Sequence, residues 1–131
     1  MTPTARPLSP HLQVYRRQIQ MVTSIVHRAT GIILVVGGLL IAGALLALAS
    51  GPDAWSGVTT LAGSWFGLLI LVGWTWALAY HWLNGIRHLL QDAGLGYSIS
   101  QFVRNSWISV VGSLVLTALV WIVVYFFGGI A

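Results

Sequence analysis

The stretch of sequence that decides the fold is residues 80–92, which read YHWLNGIRHLLQD and close an apolar run that begins near Leu61. In a helix, residues three and four apart lie on one face. The residues that share such a face in this stretch are His81, Gly85, His88 and Asp92. Because ionisable side chains inside a membrane span are costly, two imidazoles and a carboxylate in an apolar segment indicate a functional site.

The composition of the whole chain is that of an integral membrane protein. Of its 131 residues, 57% are hydrophobic and 6% are charged, whereas soluble domains are about 25% charged. The net charge of +4 does not indicate a nucleic-acid partner, because the arginines stand at the ends of apolar segments and form no basic face. The chain has no cysteine, which excludes disulfides, thiolate-bound iron–sulfur clusters and covalently attached c-type haem.

The hydropathy pattern predicts an all-α integral membrane fold, with three transmembrane helices in an up-down-up bundle. The single domain, 1–131, divides into a polar N-terminal arm at 1–20 and spans at 21–49, 61–90 and 107–127. Each span supplies the roughly 20 apolar residues that a bilayer core requires. Glycine and proline turn residues predict loops at 50–60 and 92–105. The third span carries no charge and is interpreted mainly as a packing helix.

The positions of the arginines predict the orientation of the bundle. Four of them lie in the arm or at the entrance of the first span, and the other two flank the second predicted loop. By the positive-inside rule, the N-terminus and the second loop are expected in the cytoplasm.

His81 is the deepest histidine of the second span. It precedes His88 by two helical turns, so it lies roughly 10 Å further into the membrane. At that depth an imidazole needs a hydrogen-bond partner or a metal, and three interpretations stay open: an axial ligand of a non-covalent haem b, a structural histidine bonded to a neighbouring helix, or part of a proton or ion path. His88 with Asp92 also fits a simple contact at a helix end. A haem with two histidine ligands would need its second ligand from a partner subunit or a second copy.

A second polar cluster marks the entrance of the first span. Ser24, His27 and Arg28 follow one another at helical spacing, so they share one face at the membrane edge. The cluster fits an interfacial anchor as well as a binding site. The arm before it contains three prolines and fits either an irregular lead or a docking segment for a soluble partner.

Three motifs resemble the cytochrome b556 membrane-anchor subunits of succinate dehydrogenase. Residues 6–15 follow the pattern R-P-x-S-P-H-L-x-x-Y, residues 24–31 follow S-I-x-H-R-x-T-G, and residues 81–92 follow H-x-x-x-G-I-R-H-L-x-x-D. They occur in the family's order, and the resemblance covers the whole chain.

The resemblance implies a respiratory complex in the bacterial inner membrane. Its partners would be a flavoprotein subunit, an iron–sulfur subunit that the arm contacts, and a second small membrane anchor that shares haem b with this chain. His81 would be an axial ligand of the haem iron, and His27, Arg28 and His88 would lie at the cofactor. Ser24 and Arg28 would bind quinone, so the chain would act in electron transfer without being catalytic alone.

Other functions are weighed against this one. A fumarate-reducing complex has the same architecture and differs in direction. A small channel or proton-conducting protein would need polar residues along a continuous path. A purely structural anchor would not need a buried histidine beside a glycine.

Overall fold

The computed structural model describes residues 16–128, and the arm motif at 6–15 lies outside them. The described chain forms four helices: α1 (Ile19–Ser50), α2 (Pro52–Gly63), α3 (Trp65–Asp92) and α4 (Ile99–Phe127). The described residues contain no strand. Helices α1, α3 and α4 are each long and apolar enough to cross a membrane. The prediction of an all-helical membrane fold is therefore confirmed.

The break between the first two helices lies at Gly51, whose φ of 124° is a conformation that side chains rarely adopt. Pro52 then begins α2, since its fixed φ suits the first helical position and its missing N–H needs no acceptor there. Asp53 stands in the first turn, where a carboxylate is favoured by the helix dipole. The prediction of a loop at 50–60 is therefore wrong, because the same glycine–proline pair that ends one helix starts another.

The second span begins at Trp65, four residues later than the hydropathy pattern suggests. Ser64 is the N-cap, and its side chain accepts a hydrogen bond of 3.1 Å from the backbone N–H of Gly67. A Cβ on Gly67 would overlap the carbonyl oxygen of Leu61. Glycine there allows the sharp corner between α2 and α3.

The loop before α4 is shorter than the predicted 92–105. Gly94 and Gly96 turn the chain with φ of 82° and 79°, and Ser98 caps α4 by accepting from the backbone N–H of Gln101 at 3.4 Å. Arg104 consequently lies inside the helix, exposed near its start.

Specific contacts show that neighbouring spans run antiparallel. The Tyr80 hydroxyl donates to the backbone oxygen of Thr23 at 2.9 Å, and further along the same pair of helices Trp74 of α3 lies against Gly37 of α1. Helices α3 and α4 meet through Arg87 and Phe102 near one end, and through Leu83 and Gly112 further in. These pairings make α1 antiparallel to α3, and α3 antiparallel to α4.

The interior of the described bundle is more polar than its surface. The only buried apolar side chains there are Ala77, Ala79 and Tyr80. The buried polar or charged residues are Thr23, Thr30, Asn84, Arg87, Gln91, Ser106, Ser109, Ser113 and Thr117. Large apolar side chains face outwards along all three spans, as expected of helices surrounded by lipid or by partner helices.

Candidate functional site

Three imidazoles meet where the first part of α1 packs against the last part of α3. The rings of His27 and His81 stack with their centroids 4.0 Å apart and an interplanar angle of 10°. The ring of His88 lies 5.1 Å from that of His27, tilted by 53°. The structure therefore brings together three of the residues that the sequence singled out, from two different helices.

The hydrogen bonds of His81 define its protonation pattern. Its Nδ1 lies 3.2 Å from the backbone oxygen of His27 and 3.3 Å from the Oγ1 of Thr30. A carbonyl oxygen only accepts, so Nδ1 must carry the proton and donate. The Thr30 hydroxyl donates its own proton to the same carbonyl oxygen, at 2.9 Å, so its oxygen can accept from the Nδ1 of His81. In the neutral form of the ring, this hydrogen bond leaves the lone pair on Nε2, and no described residue hydrogen-bonds to that atom.

Small residues make room for the histidine pair. A Cβ on Gly31 would lie 3.2 Å from the Cε1 of His81, which is closer than most Cβ contacts. A Cβ on Gly85 would lie 4.0 Å from the Cε1 of His27, at an ordinary contact distance. Of these two glycines, Gly31 is the one where an added side chain would crowd an imidazole, the ring of His81.

His88 is bound by a residue one turn before it. Its Nε2 lies 3.2 Å from the Nδ2 of Asn84, and the Oδ1 of Asn84 accepts from the Nη1 of Arg87 at 3.2 Å. The Arg87 guanidinium also lies over the ring of Phe102, 4.5 Å from its centroid. Asp92, the partner suggested by helical spacing, is exposed and makes no hydrogen bond to His88 in the described part of the chain.

Ser24 and Arg28 lie on the α1 turn beside this cluster. Ser24 is half-buried and Arg28 is exposed. Neither side chain hydrogen-bonds to another residue within 16–128.

Sequence reasoning missed several residues of the site, namely Thr30, Gly31 and Asn84. Thr30 follows His27 at helical spacing within the second motif, and this was the available signal for a shared face. The pairing of α1 with α3 that gives these residues their roles joins positions 54 residues apart.

Comparison with known proteins identifies the family of this bundle. The family model described as "Succinate dehydrogenase/Fumarate reductase transmembrane subunit" matches residues 2–120. The chain belongs to this family. The recognition made from the three sequence motifs is thereby confirmed.

Similar proteins span bacteria and mitochondria. The succinate dehydrogenase cytochrome b556 subunit of Paracoccus denitrificans is 47% identical over 122 residues, covering 93% of this chain and 94% of that protein. The subunit of the same name from Rickettsia prowazekii is 39% identical over 118 residues, covering 89% and 91%. The mitochondrial cytochrome b560 subunit of Mus musculus is 36% identical over 126 residues, covering 90% and 69%. Like these relatives, the chain is a transmembrane subunit of the succinate dehydrogenase/fumarate reductase family.

Proposed function

We propose that this chain is the haem b-binding membrane anchor of a succinate:quinone oxidoreductase. It would help pass electrons from succinate oxidation to quinone at a site near the cytoplasmic face of the bacterial inner membrane. Family membership supports the anchor role. One observation carries the haem assignment. The Nδ1 of His81 donates to α1, and its Nε2 has no hydrogen-bond partner among the described residues.

The residues present fit a haem. Metal-binding histidines characteristically donate the other ring N–H to a backbone oxygen, which fixes the tautomer and orients the ring, and His81 has this arrangement. The three clustered imidazoles are not arranged to hold a bare metal ion together, and no other group of three or more His, Cys, Asp or Glu side chains in residues 16–128 is so arranged. When bound, the haem would supply a one-electron redox centre. His27, Arg28 and His88 would bind its propionates as donors.

The second axial ligand is proposed to come from a second anchor subunit. His27 stacks on the face of the His81 ring, whereas the Nε2 lone pair points outwards in the plane of that ring. His27 is therefore not placed opposite the His81 ligand atom. A shared haem would also hold the two anchors together.

Ser24 and Arg28 are proposed to bind quinone. Reduction of a quinone takes two electrons and two protons, and negative charge develops on its carbonyl oxygens. A hydroxyl and a guanidinium can donate hydrogen bonds to such an oxygen and stabilise that charge. Arg28 would act as a fixed cation, since arginine is not deprotonated in proteins.

The orientation follows from the charged end of the bundle. Arg16 and Arg17 lie just before α1 and Arg28 lies near its start. Arg87 and Arg104 flank the loop between α3 and α4. Both groups belong to the end that carries the histidines. The positive-inside rule then puts this end in the cytoplasm, where the flavoprotein and iron–sulfur subunits would dock and where the arm, 1–20, would contact the iron–sulfur subunit.

A fumarate-reducing complex is the second candidate, because the description of the matching family names fumarate reductase as well. A channel is less well supported. The buried hydroxyls of α4 donate to carbonyl oxygens of their own helix and do not form a path through the bundle.

The quinone assignment is tested with Arg28→Ala and Arg28→Lys in the complex purified through this chain. We expect Arg28→Ala to lower succinate:quinone reductase activity, while succinate oxidation with an artificial acceptor stays near the parent value. Arg28→Lys, which keeps the charge, should retain more quinone activity. Equal loss of both activities would point to failed assembly and would remove the support for a quinone role.

A further inference from the structure

We propose that Arg87 and Asn84 are positioning residues that hold His88 as the neutral tautomer with its proton on Nδ1. His88 would then present a fixed N–H donor to an anionic oxygen of the ligand proposed at the histidine cluster. The tautomer follows from contacts within this chain. Its use as a donor to a haem propionate rests on the proposed function.

Arg87 is a buried cation without a carboxylate partner in the described part of the chain. It is 5% exposed and lies against the ring of Phe102. The chain has only two acidic residues, Asp53 and Asp92, and both are exposed. In the described part of the chain, the one hydrogen bond of Arg87 goes to the side chain of Asn84. Because losing the partner of a buried charge is costly, that hydrogen bond is strongly favoured.

The orientation of the Asn84 amide is determined by its hydrogen bond to Arg87. Asn84 is fully buried, at 0% exposure, so its amide has no water to satisfy either end. Arginine has donors and no acceptor, so the atom of Asn84 that faces Arg87 must be the oxygen. The reverse orientation would set an NH₂ group against a guanidinium. The NH₂ of Asn84 therefore faces His88.

The orientation of the Asn84 amide in turn determines the tautomer of His88. The Asn84 Nδ2 lies 3.2 Å from the His88 Nε2 and must donate, so Nε2 must accept with its lone pair. A proton on Nε2 would place two donors against each other. The single proton of the neutral ring consequently sits on Nδ1, for which the described residues provide no acceptor.

The two histidines of α3 thus differ in the ring nitrogen that has no hydrogen-bond partner among the described residues, which is an acceptor in His81 and a donor in His88. His81 spends its Nδ1 proton on α1 and presents a lone pair, as a metal ligand does. The Nε2 lone pair of His88 accepts from Asn84, so the ring presents an N–H donor, which suits an anionic oxygen. The difference comes from which neighbour each ring meets and could not be read from the two histidines alone.

The test is the tautomer of His88, measured by magic-angle-spinning NMR on the complex with ¹⁵N-labelled histidine rings. The His88 signal is assigned as the one lost in the His88→Gln complex. We expect a one-bond N–H coupling at Nδ1 and none at Nε2. A coupling at Nε2, alone or together with one at Nδ1, would overturn the proposal. This measurement needs no variant other than the one used for assignment, and it does not depend on whether the haem assignment is correct.

Variants separate a positioning role from simple packing. In Asn84→Asp, a carboxylate accepts from both Arg87 and His88, so the coupling should move to Nε2. Arg87→Lys keeps a cationic donor and should keep the parent tautomer, whereas Arg87→Leu should lose it. Gln91→Leu, a buried polar change on the same face of α3, is the matched control and should leave the His88 signal unchanged. An unchanged tautomer in Asn84→Asp would contradict the proposed role of Asn84.

Discussion

The α1–α3 and α3–α4 interfaces are both lined by buried polar side chains, but they use their polar atoms differently. In α4, the hydroxyls of Ser106, Ser109, Ser113 and Thr117 all donate to carbonyl oxygens of their own helix. Between α1 and α3, the hydroxyls of Thr23 and Thr30 also donate within their own helix, but other polar groups bond across the interface, as the Tyr80 hydroxyl does with the backbone oxygen of Thr23. His81 and His88 also leave one ring nitrogen each without a partner among the described residues.

The difference shows what separates packing from function in a membrane bundle. Small hydroxyl residues that bond to their own backbone let helices approach closely and need nothing further. An imidazole with one nitrogen hydrogen-bonded and the other without a partner in residues 16–128 fits the proposed ligand-binding role. The polarity of a buried residue is therefore less informative than whether its hydrogen bonds are complete.

The largest expected effect is on the α1–α3 side, in His81→Leu. Removing the ligand atom should abolish haem binding or change its ligation, seen as a lower haem-to-flavin ratio in the purified complex. Thr75→Val is the matched control, because the Thr75 hydroxyl bonds to the backbone oxygen of Leu71 within α3. A normal haem content and spectrum in His81→Leu would remove His81 as the ligand.

The next largest effect tests the close approach of α1 to α3. A Cβ on Gly37 would overlap the indole of Trp74, so Gly37→Ala must displace that ring. Overpacking of this kind costs about 1–3 kcal/mol, which should lower the thermal inactivation midpoint of the complex. Gly38→Ala is the control, because its Cβ would meet no atom within 4 Å. Equal loss of stability in both variants would argue against the α1–α3 contact.

A smaller effect is expected from Thr30→Val, which removes one of the two acceptors of the His81 Nδ1 proton. Changes to residues that support a metal ligand typically cost about 10–100-fold in metal affinity or activity. The backbone oxygen of His27 remains, so we expect the lower end, measured as haem loss during dilution or washing. Thr30→Ser, which keeps the hydroxyl, should retain haem like the parent. Faster loss from the serine variant than from the valine variant would contradict this role.

The smallest effect is expected in α4, from Ser113→Ala. The hydroxyl bonds only to the backbone oxygen of Val110, at 2.8 Å, so its removal leaves no partner on another helix unsatisfied. Hydrogen bonds in membrane proteins contribute about 0.6 kcal/mol on average, so thermal stability and haem content should stay close to the parent values. A large loss of either would mean that the α3–α4 interface is also part of the site.

The sequence was sufficient for the membrane class and the number of candidate spans, and it singled out the three histidines that the structure brings together. Hydropathy reports which segments prefer lipid, and the family motifs contain His27, His81 and His88. It was not sufficient for the helix at Pro52–Gly63, because glycine and proline mark a turn and the start of a helix alike. Nor did it give the partners of the histidines, because helical spacing relates His88 equally to Asn84 and to Asp92, and only packing decides between them.

The central claim is tested most directly by a reduced-minus-oxidised visible spectrum of the complex purified through this chain. We expect a b-type α-band, with flavoprotein and iron–sulfur subunits in the same preparation. A preparation that retains both soluble subunits but shows no haem band would leave the anchor role standing. It would contradict the assignment of His81 as an axial ligand.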